Sequence, residues 1–255
     1  MTTLAERAED LLRLHRPGDP VVLPTVWDVW SAQVVVEAGF PALTVGSHPL
    51  ADSLGHADGE AMTLSQALEG IARITSSVGV PVSVDLESGY DTPAPELVER
   101  ALEAGVVGIN IEDTVHSAGR LRSAQEHADY IAALRQSADE AGVHLVINGR
   151  TDVFTTPDSF EEPLAEAVHR LQLLEKSGAD SLYPVKLPDT ATLEAILKDV
   201  STPLNVTAHP VDGAIPDGLS LQRLAELGVA RVSFGPLLQA ALSQQITQIV
   251  APWTR

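Results

Sequence analysis

Short apolar runs alternate along the chain with longer stretches in which apolar positions recur every three or four residues. Leu4, Ala8, Leu11, Leu12 and Leu14 form one such stripe and predict a helix over 3–16, stopped by Pro17-Gly18-Asp19-Pro20. Val21–Leu23 then reads as a short strand, and 31–38 as a helix closing at Gly39. From there one phrase recurs: a helix ending in Gly, a short apolar run, then polar residues. It appears at Gly39 with Leu43-Thr44-Val45 and at Gly105 with Gly108-Ile109-Asn110-Ile111. It returns at Gly178 with Ser181-Leu182-Tyr183 and at Gly228 with Arg231-Val232-Ser233. Gly just past a helix supplies the left-handed turn into the next element. Runs at 82–85, 145–148 and 204–206 complete eight strand candidates, with helices predicted over 63–78, 95–104, 124–141, 162–177 and 221–227. Strict alternation of buried strands and helices means a parallel sheet. Eight such units in one chain of this length predict a closed (β/α)8 TIM barrel with an extra N-terminal helix, as a single domain over 1–255. No Gly-x-Gly-x-x-Gly follows the first strand, which argues against an open doubly wound sheet.

The chain's most informative stretch is Val82-Ser83-Val84-Asp85-Leu86-Glu87-Ser88-Gly89-Tyr90. Its β-branched start suits a buried strand, and the polarity changes abruptly at Asp85. Extended backbone would put the Asp85 and Glu87 carboxylates on one side, and Gly89 allows the chain to turn away. Alone, this reads equally as a strand running out into a solvated loop. Other strands end similarly, in Trp27-Asp28, Gly46-Ser47, Glu112-Asp113, Asn148-Gly149-Arg150-Thr151-Asp152, Tyr183-Pro184, Asn205 and Ser233. In this architecture the chemistry sits at the C-terminal ends of the strands. Acids from neighbouring strands with an arginine opposite describe a divalent cation and an anionic ligand. Carboxylates without thiols or a histidine cluster favour Mg2+ (or Mn2+) over zinc.

Composition narrows the partners. A net charge of −19 argues against nucleic acid and anionic membrane surfaces, but not against a small anionic substrate met by a metal and local arginines. There is no cysteine, hence no disulfide, thiolate ligand or cysteine nucleophile. No apolar h-region opens the chain and no apolar run approaches a membrane span, so a soluble, cytoplasmic protein is expected.

From about Pro24 to Phe234 the chain resembles the isocitrate lyase/phosphoenolpyruvate mutase superfamily. The segments that carry the resemblance are Val-Gly-Ser through Leu-Gly-His-Ala-Asp (45–58), Val-Asp-Leu-Glu-Ser-Gly-Tyr, Gly-Ile-Asn-Ile-Glu-Asp, Ile-Asn-Gly-Arg-Thr-Asp and Pro-Leu-Asn-Val, in order. The resemblance implies Asp85 as the direct Mg2+ ligand, with Asp58, Glu87 and Glu112 ordering its waters. It implies Gly46 and Ser47 on the substrate carboxylate, Arg150 on its acidic group and Asn148 in support. Trp27 and Asn205 are further substrate-binding candidates at strand ends, Trp27 reading equally as pocket wall or core. Arg150, Glu112 and His116 are the candidate catalytic residues. The implied chemistry makes or breaks a C–C or P–C bond beside a 2-oxo acid through an enolate.

Three departures bear on substrate. Glu87 stands where the motif usually has Asp. The 114–123 segment carries neither the lyases' Lys-Lys/Arg-Cys-Gly-His cassette nor the mutases' Lys- and Asn-containing one, and reads either as a mobile lid or as a solvated loop. No histidine falls near Tyr183–Lys186, where the mutases bind a phosphonyl group. The favoured reading is a Mg2+-dependent lyase or decarboxylase of a small 2-oxo or 2-hydroxy (di)carboxylic acid. The alternatives are phosphonomutase or phosphonopyruvate hydrolase chemistry, and a silent 2-oxo acid binder. Leu237, Leu238, Ala241, Ile246 and Val250 predict a last helix, packed on its own barrel or on a partner's. The resemblance implies a homodimer or homotetramer.

Overall fold

The computed structural model describes residues 2–254. Eight parallel strands form the wall of a barrel: β1 (Val21–Leu23, continuing as Thr25–Val26), β2 (Leu43–Val45), β3 (Val82–Asp85), β4 (Gly108–Ile111), β5 (Val146–Thr151), β6 (Ser181–Pro184), β7 (Asn205–His209) and β8 (Arg231–Ser233). Pro24, which has no N–H, splits β1. Its first half pairs with β8 and its second with β2, so the break lies where the sheet closes. Between β6 and β7 the pairing is carried by a bridge from Leu182 to Leu204. The barrel expected from the alternation is present.

Residues in the strands alternate in character. Val82, Val84, Ile109, Ile111, Ile147, Leu182, Val206 and Val232 belong to the apolar layer shared with the helices. Their alternates Ser83, Asn110, Asn148, Ser181, Asn205 and Arg231 are buried polar residues of the barrel interior. The surrounding helices include α4 (Leu64–Ser77), α5 (Ala94–Glu103), α6 (Ala124–Glu140), α7 (Pro163–Lys176) and α8 (Thr190–Asp199). In α5, Ala94, Leu97, Val98 and Ala101 form the buried stripe that its sequence periodicity requires. α3 (Ser47–Leu54) begins directly at the end of β2 and was not foreseen. Its short apolar pattern, with Pro49 inside, gave no helical period to read.

The N-terminal helix α1 (Leu4–Leu14) opens on a Thr3/Glu6 capping box and crosses the N-terminal end of the barrel. Ala8 and Leu11 pack with Val21, Leu23, Val107 and Val146. A Cβ at Gly108 would meet Leu11 Cδ2 at 2.7 Å, so this plug demands glycine in β4. At the end of α1, His15 Nδ1 donates to Leu11 O at 2.8 Å, leaving Nε2 facing Arg231 Nη1 at 3.5 Å. The last helix, α10 (Leu237–Val250), has no buried residue. Leu237, Leu238 and Ala241 are half-buried, but Ile246 is 58% exposed, Ile249 71% and, just past the helix, Trp253 87%, so the C-terminal half of its apolar side is not covered by this barrel. Among the described residues no helix is long and apolar enough to cross a membrane.

Acid sensitivity follows from the buried histidines. Burial, with Arg231 opposite, depresses His15 to about 4, and burial with Arg122 nearby depresses His127 to about 3. Between those values and the unfolded value near 6.5 the unfolded chain binds more protons, so stability rises with pH across that window. Lowering pH from 7 to 5 should therefore cost about 2 kcal/mol for each histidine. Urea unfolding at both pH values checks this: His15→Gln should flatten the pH dependence by about that amount, and an unchanged slope would rule the linkage out.

Candidate active site

A cavity of about 540 Å³ opens at the C-terminal ends of the strands. Asp58, Asp85, Glu87, Glu112, His116, Gly46, Ser47, Asn148 and Arg150 all line it. Two sequence candidates do not. Trp27 is buried beside the start of α2 (Val29–Glu37), its carbonyl within reach of Ser53 Oγ at 3.4 Å. Asn205 lies deeper in the barrel, bonded to Ser233 Oγ at 3.2 Å.

Arg150 holds the acids together. Its Nη1 lies 2.6 Å from Glu112 Oε2 and 3.6 Å from Asp85 Oδ2, and its Nε lies 2.7 Å from Asp152 Oδ1. Burial opposes its charge, but Glu112, Asp152 and Asp85 together outweigh that and hold it well above its ordinary value. The sequence also allows Arg150 to be a structural partner of Asp152, with its strand-end position beside Asn148 favouring a ligand. The structure pairs it with Asp152 and still leaves Nη2 without a hydrogen-bond partner among the described residues.

The carboxylates feel their removal from water. Burial pushes Asp85 up, against the pull of Arg150. Glu87 is raised to about 7, first by burial and then by the charge of Asp85. Glu112 is pushed up to about 8 by burial, while Arg150 and a hydrogen bond from His116 oppose the rise. His116 Nε2 stands 2.7 Å from Glu112 Oε1 and 3.5 Å from Glu87 Oε2. The bond to Glu112 raises His116 to about 9. With Arg150 and His116 both on Glu112, geometry favours the carboxylate over the acid.

The turn after β3 differs from the extended reading. The strand stops at Asp85, and Glu87 adopts a left-handed φ of 50°. Its N–H donates to Asp85 Oδ1 at 3.0 Å, closing the turn. Glu87 thus reaches the cavity through a bend rather than by strand alternation. Glu60, which sequence reasoning missed, fixes that bend: its Oε1 accepts from Ser88 N (3.1 Å), Ser88 Oγ (2.6 Å) and Tyr90 N (2.9 Å). Glu87 in turn accepts from Glu60 N at 2.6 Å and Tyr90 Oη at 2.9 Å. Only the proximity of Glu60 to Asp58 in the chain could have suggested it.

The 114–123 segment is a small hairpin, Thr114–Val115 against Arg120–Leu121, with a helical turn at His116–Ala118. Arg122 pins its base, donating to Ser88 O at 2.9 Å and Glu112 O at 3.3 Å and stacking 4.7 Å from the Tyr130 ring. A short local pairing and one arginine are the contacts made by a segment poor in apolar residues. Arg120 points away from the site and pairs with Glu126 at 3.3 Å.

Among the described residues no three His, Asp or Glu side chains converge closely enough to hold a metal directly. The donor set nevertheless suits Mg2+, which takes one or two carboxylates and keeps its waters. Asp85 offers such a carboxylate, with Asp58, Glu87 and Glu112 on the same cavity. Asn110 Nδ2 and Asn148 Oδ1, buried in the strand row that contains Asp85, also lack partners within the described residues. Gly46 is the N-cap of α3 and makes no side-chain cap, so the first N–H groups of this helix lie open beside Ser47. A Cβ at Gly46 would meet Thr25 Cγ2 at 2.7 Å.

Known proteins share this fold. A Burkholderia cenocepacia structure provisionally named a phosphonomutase superposes with a TM-score of 0.87 at 37% identity, over 96% of this chain and 99% of that one. The structure of 2,3-dimethylmalate lyase gives a TM-score of 0.86 at 27% identity, over 100% of this chain and 88% of that one. An oxaloacetate decarboxylase from Bradyrhizobium diazoefficiens is 29% identical over 210 residues, 78% of this chain and 70% of its own. Residues 11–252 match the sequence model named phosphoenolpyruvate phosphomutase, and on that span the chain belongs to this family of lyases and mutases within the isocitrate lyase/phosphoenolpyruvate mutase superfamily.

Proposed function

We propose that this enzyme is a divalent-cation-dependent lyase or decarboxylase that cleaves a C–C bond of a small 2-oxo or 2-hydroxy dicarboxylic acid. One observation carries the reading: Asp85, Glu87 and Glu112 share a cavity with a partly free Arg150 and the open N-terminus of α3. A Mg2+ bound there, with Asp85 as ligand and Asp58, Glu87 and Glu112 on its waters, would polarise the keto group as a Lewis acid. The first N–H groups of α3 and the Ser47 hydroxyl bind the adjacent carboxylate. With a 2-oxo acid, Arg150 Nη2 donates to the keto oxygen, on which charge develops as the C–C bond breaks, its electron pair moves toward the carbonyl and CO2 leaves. His116, charged at neutral pH and facing the cavity, supplies the proton that the resulting enolate carbon takes up. Asn148 keeps the wall in register through its bond to Asn110 at 2.9 Å. The likeness to the B. cenocepacia protein supports a second reading, P–C bond chemistry on phosphonopyruvate.

The uncovered C-terminal half of the apolar side of α10 supports a homo-oligomer, the assembly the resemblance implies. Light scattering at micromolar protein should show a dimer or tetramer, and a stable monomer would refute it.

The reaction is tested by screening 2-oxo and 2-hydroxy acids, phosphonopyruvate included, for Mg2+-dependent release of pyruvate or its enol. Cleavage of a carboxylic acid and not of phosphonopyruvate is the expected result. Arg150→Lys should lower kcat/KM about a hundredfold, because an ammonium cannot serve two acids and a substrate oxygen from one planar fork. A change below threefold would reduce Arg150 to a structural role. Calorimetry should find no Mg2+ binding in Asp85→Ala and binding weakened about tenfold in Asp58→Ala. Since Glu87 is raised to about 7, protons compete with the cation below that pH. Mg2+ affinity should thus fall on going from pH 8 to pH 6, and a flat profile would contradict the assignment.

A further inference from the structure

The cavity is electrically lopsided. Its β2–β5 side carries Asp58, Asp85, Glu87, Glu112 and Asp152, and Arg150 and His116 there already pair with carboxylates. Its β6–β8 side has no carboxylate among the lining residues and carries two cations, Lys186 and Arg231. Neither makes an ion pair among the described residues.

Lys186 is one of three lysines in a chain of net charge −19, and the other two sit on the outer helices α7 and α8. Its backbone is in the left-handed region at φ 56°, a conformation that costs a non-glycine residue about 1–3 kcal/mol. The flanking residues impose it: Val185 N donates to Thr151 O at 3.3 Å, and Leu187 is packed at 4% exposure. Such local strain is commonly kept where a side chain must be delivered to a ligand. Arg231 lies below, 1% exposed, with Nε unpartnered and no carboxylate at ion-pair distance; its other nitrogens stand 3.4 Å from Ser83 Oγ and 3.5 Å from His15 Nε2, and Asp85 acts on it only from further away. Burial lowers it only to about 10, so it stays charged. A guanidinium this deep with no carboxylate in contact leaves positive potential on that wall.

We propose that the β6–β8 wall seats the second carboxylate of the substrate, with the Lys186 ammonium as its direct ligand and Arg231 adding attraction from beneath. This deepens the reading above and rests on it for the placement of the first carboxylate at α3. A distal carboxylate turned toward the acidic side would be repelled; turned toward Lys186 it gains a charge-assisted hydrogen bond. The substrate then spans the cavity, with the scissile bond in front of Arg150.

Lactate and malate differ by one distal carboxylate and make the test direct. Calorimetry on the full chain with saturating Mg2+ should show malate binding at least about tenfold tighter than lactate. Lys186→Met should remove that preference and leave lactate affinity unchanged, while Lys186→Arg should keep most of it. Thermal melts of both variants confirm that they are folded. Equal losses for both ligands, or no malate preference in the unaltered enzyme, would overturn the assignment. Because binding is read, a chain that shows this split yet cleaves none of the screened acids would refute the proposed reaction and not the subsite. Cleavage without the split would do the reverse.

Discussion

Three carboxylates share one guanidinium at the open end of this barrel, and the rest of the site is arranged around that shortage of positive charge. At an effective dielectric near 20, unit charges about 4 Å apart interact by about 4 kcal/mol. Arg150 lies within that range of Asp85, Glu112 and Asp152, so removing it would strand three acids at once. Breaking even one buried pair in this way costs about 3–5 kcal/mol. Yet one cation does not satisfy three anions, and the remainder appears in the raised affinities of Asp85, Glu87 and Glu112 for protons. His116 meets part of the need, carried in by a hairpin whose base is pinned by Arg122. In the proposed function a hard divalent cation meets the rest.

The corner that presents these acids is strained, and magnitudes show why it holds. Glu60, Glu87, Tyr90 and Asp91 all have φ between 50° and 58°. Each such conformation costs about 1–3 kcal/mol. Against this stand five hydrogen bonds accepted by Glu60 and Glu87 carboxylates, each worth about 1.5–3 kcal/mol when the acceptor is charged. The two sums are comparable, so the corner keeps its shape only while Glu60 and Glu87 are both present. Glu in place of the motif's usual Asp at 87 is consistent with this: the longer side chain reaches Glu60 N and Tyr90 Oη together.

Most of the barrel was legible because its signals are local. Helix stripes and closing glycines placed α1, α4, α5, α6, α7 and α9 (Leu221–Leu227) within one or two residues, and the first half of β1 and all of β3 to the residue. The acids at 85, 87 and 112 and Arg150 stood out as strand-end polarity, and the structure brings them to one cavity. What stayed hidden depends on contacts far apart in the chain. Glu60 is remarkable in no sequence window until Ser88 and Tyr90 fold against it. Lys186 follows an ordinary apolar run, and only the charge of the facing wall distinguishes it. Trp27 sat at a strand end by position, but it is buried and does not line the cavity, which periodicity cannot foresee in a two-residue segment such as Thr25–Val26.

A polar interior separates the sources of stability from those of function. Barrels of this kind are usually filled by layers of branched aliphatic side chains. Here Asp85, Asn110, Asn148 and Ser181 form one continuous row across β3 to β6, with Ser83 and Arg231 in the layer below. That interior buries little apolar surface, so cohesion must come from the outward-facing Val, Ile and Leu residues packed under the helices and from α1 closing the base. The arrangement also confines the cost of the polar row. Helices shield it from the side and Leu11 seals it from below, leaving the C-terminal mouth as the route by which solvent, cation or substrate can meet the unpartnered amides and the buried guanidinium. Each strand therefore serves both ends by alternation alone: one residue out to hold the barrel, the next in to shape what enters it.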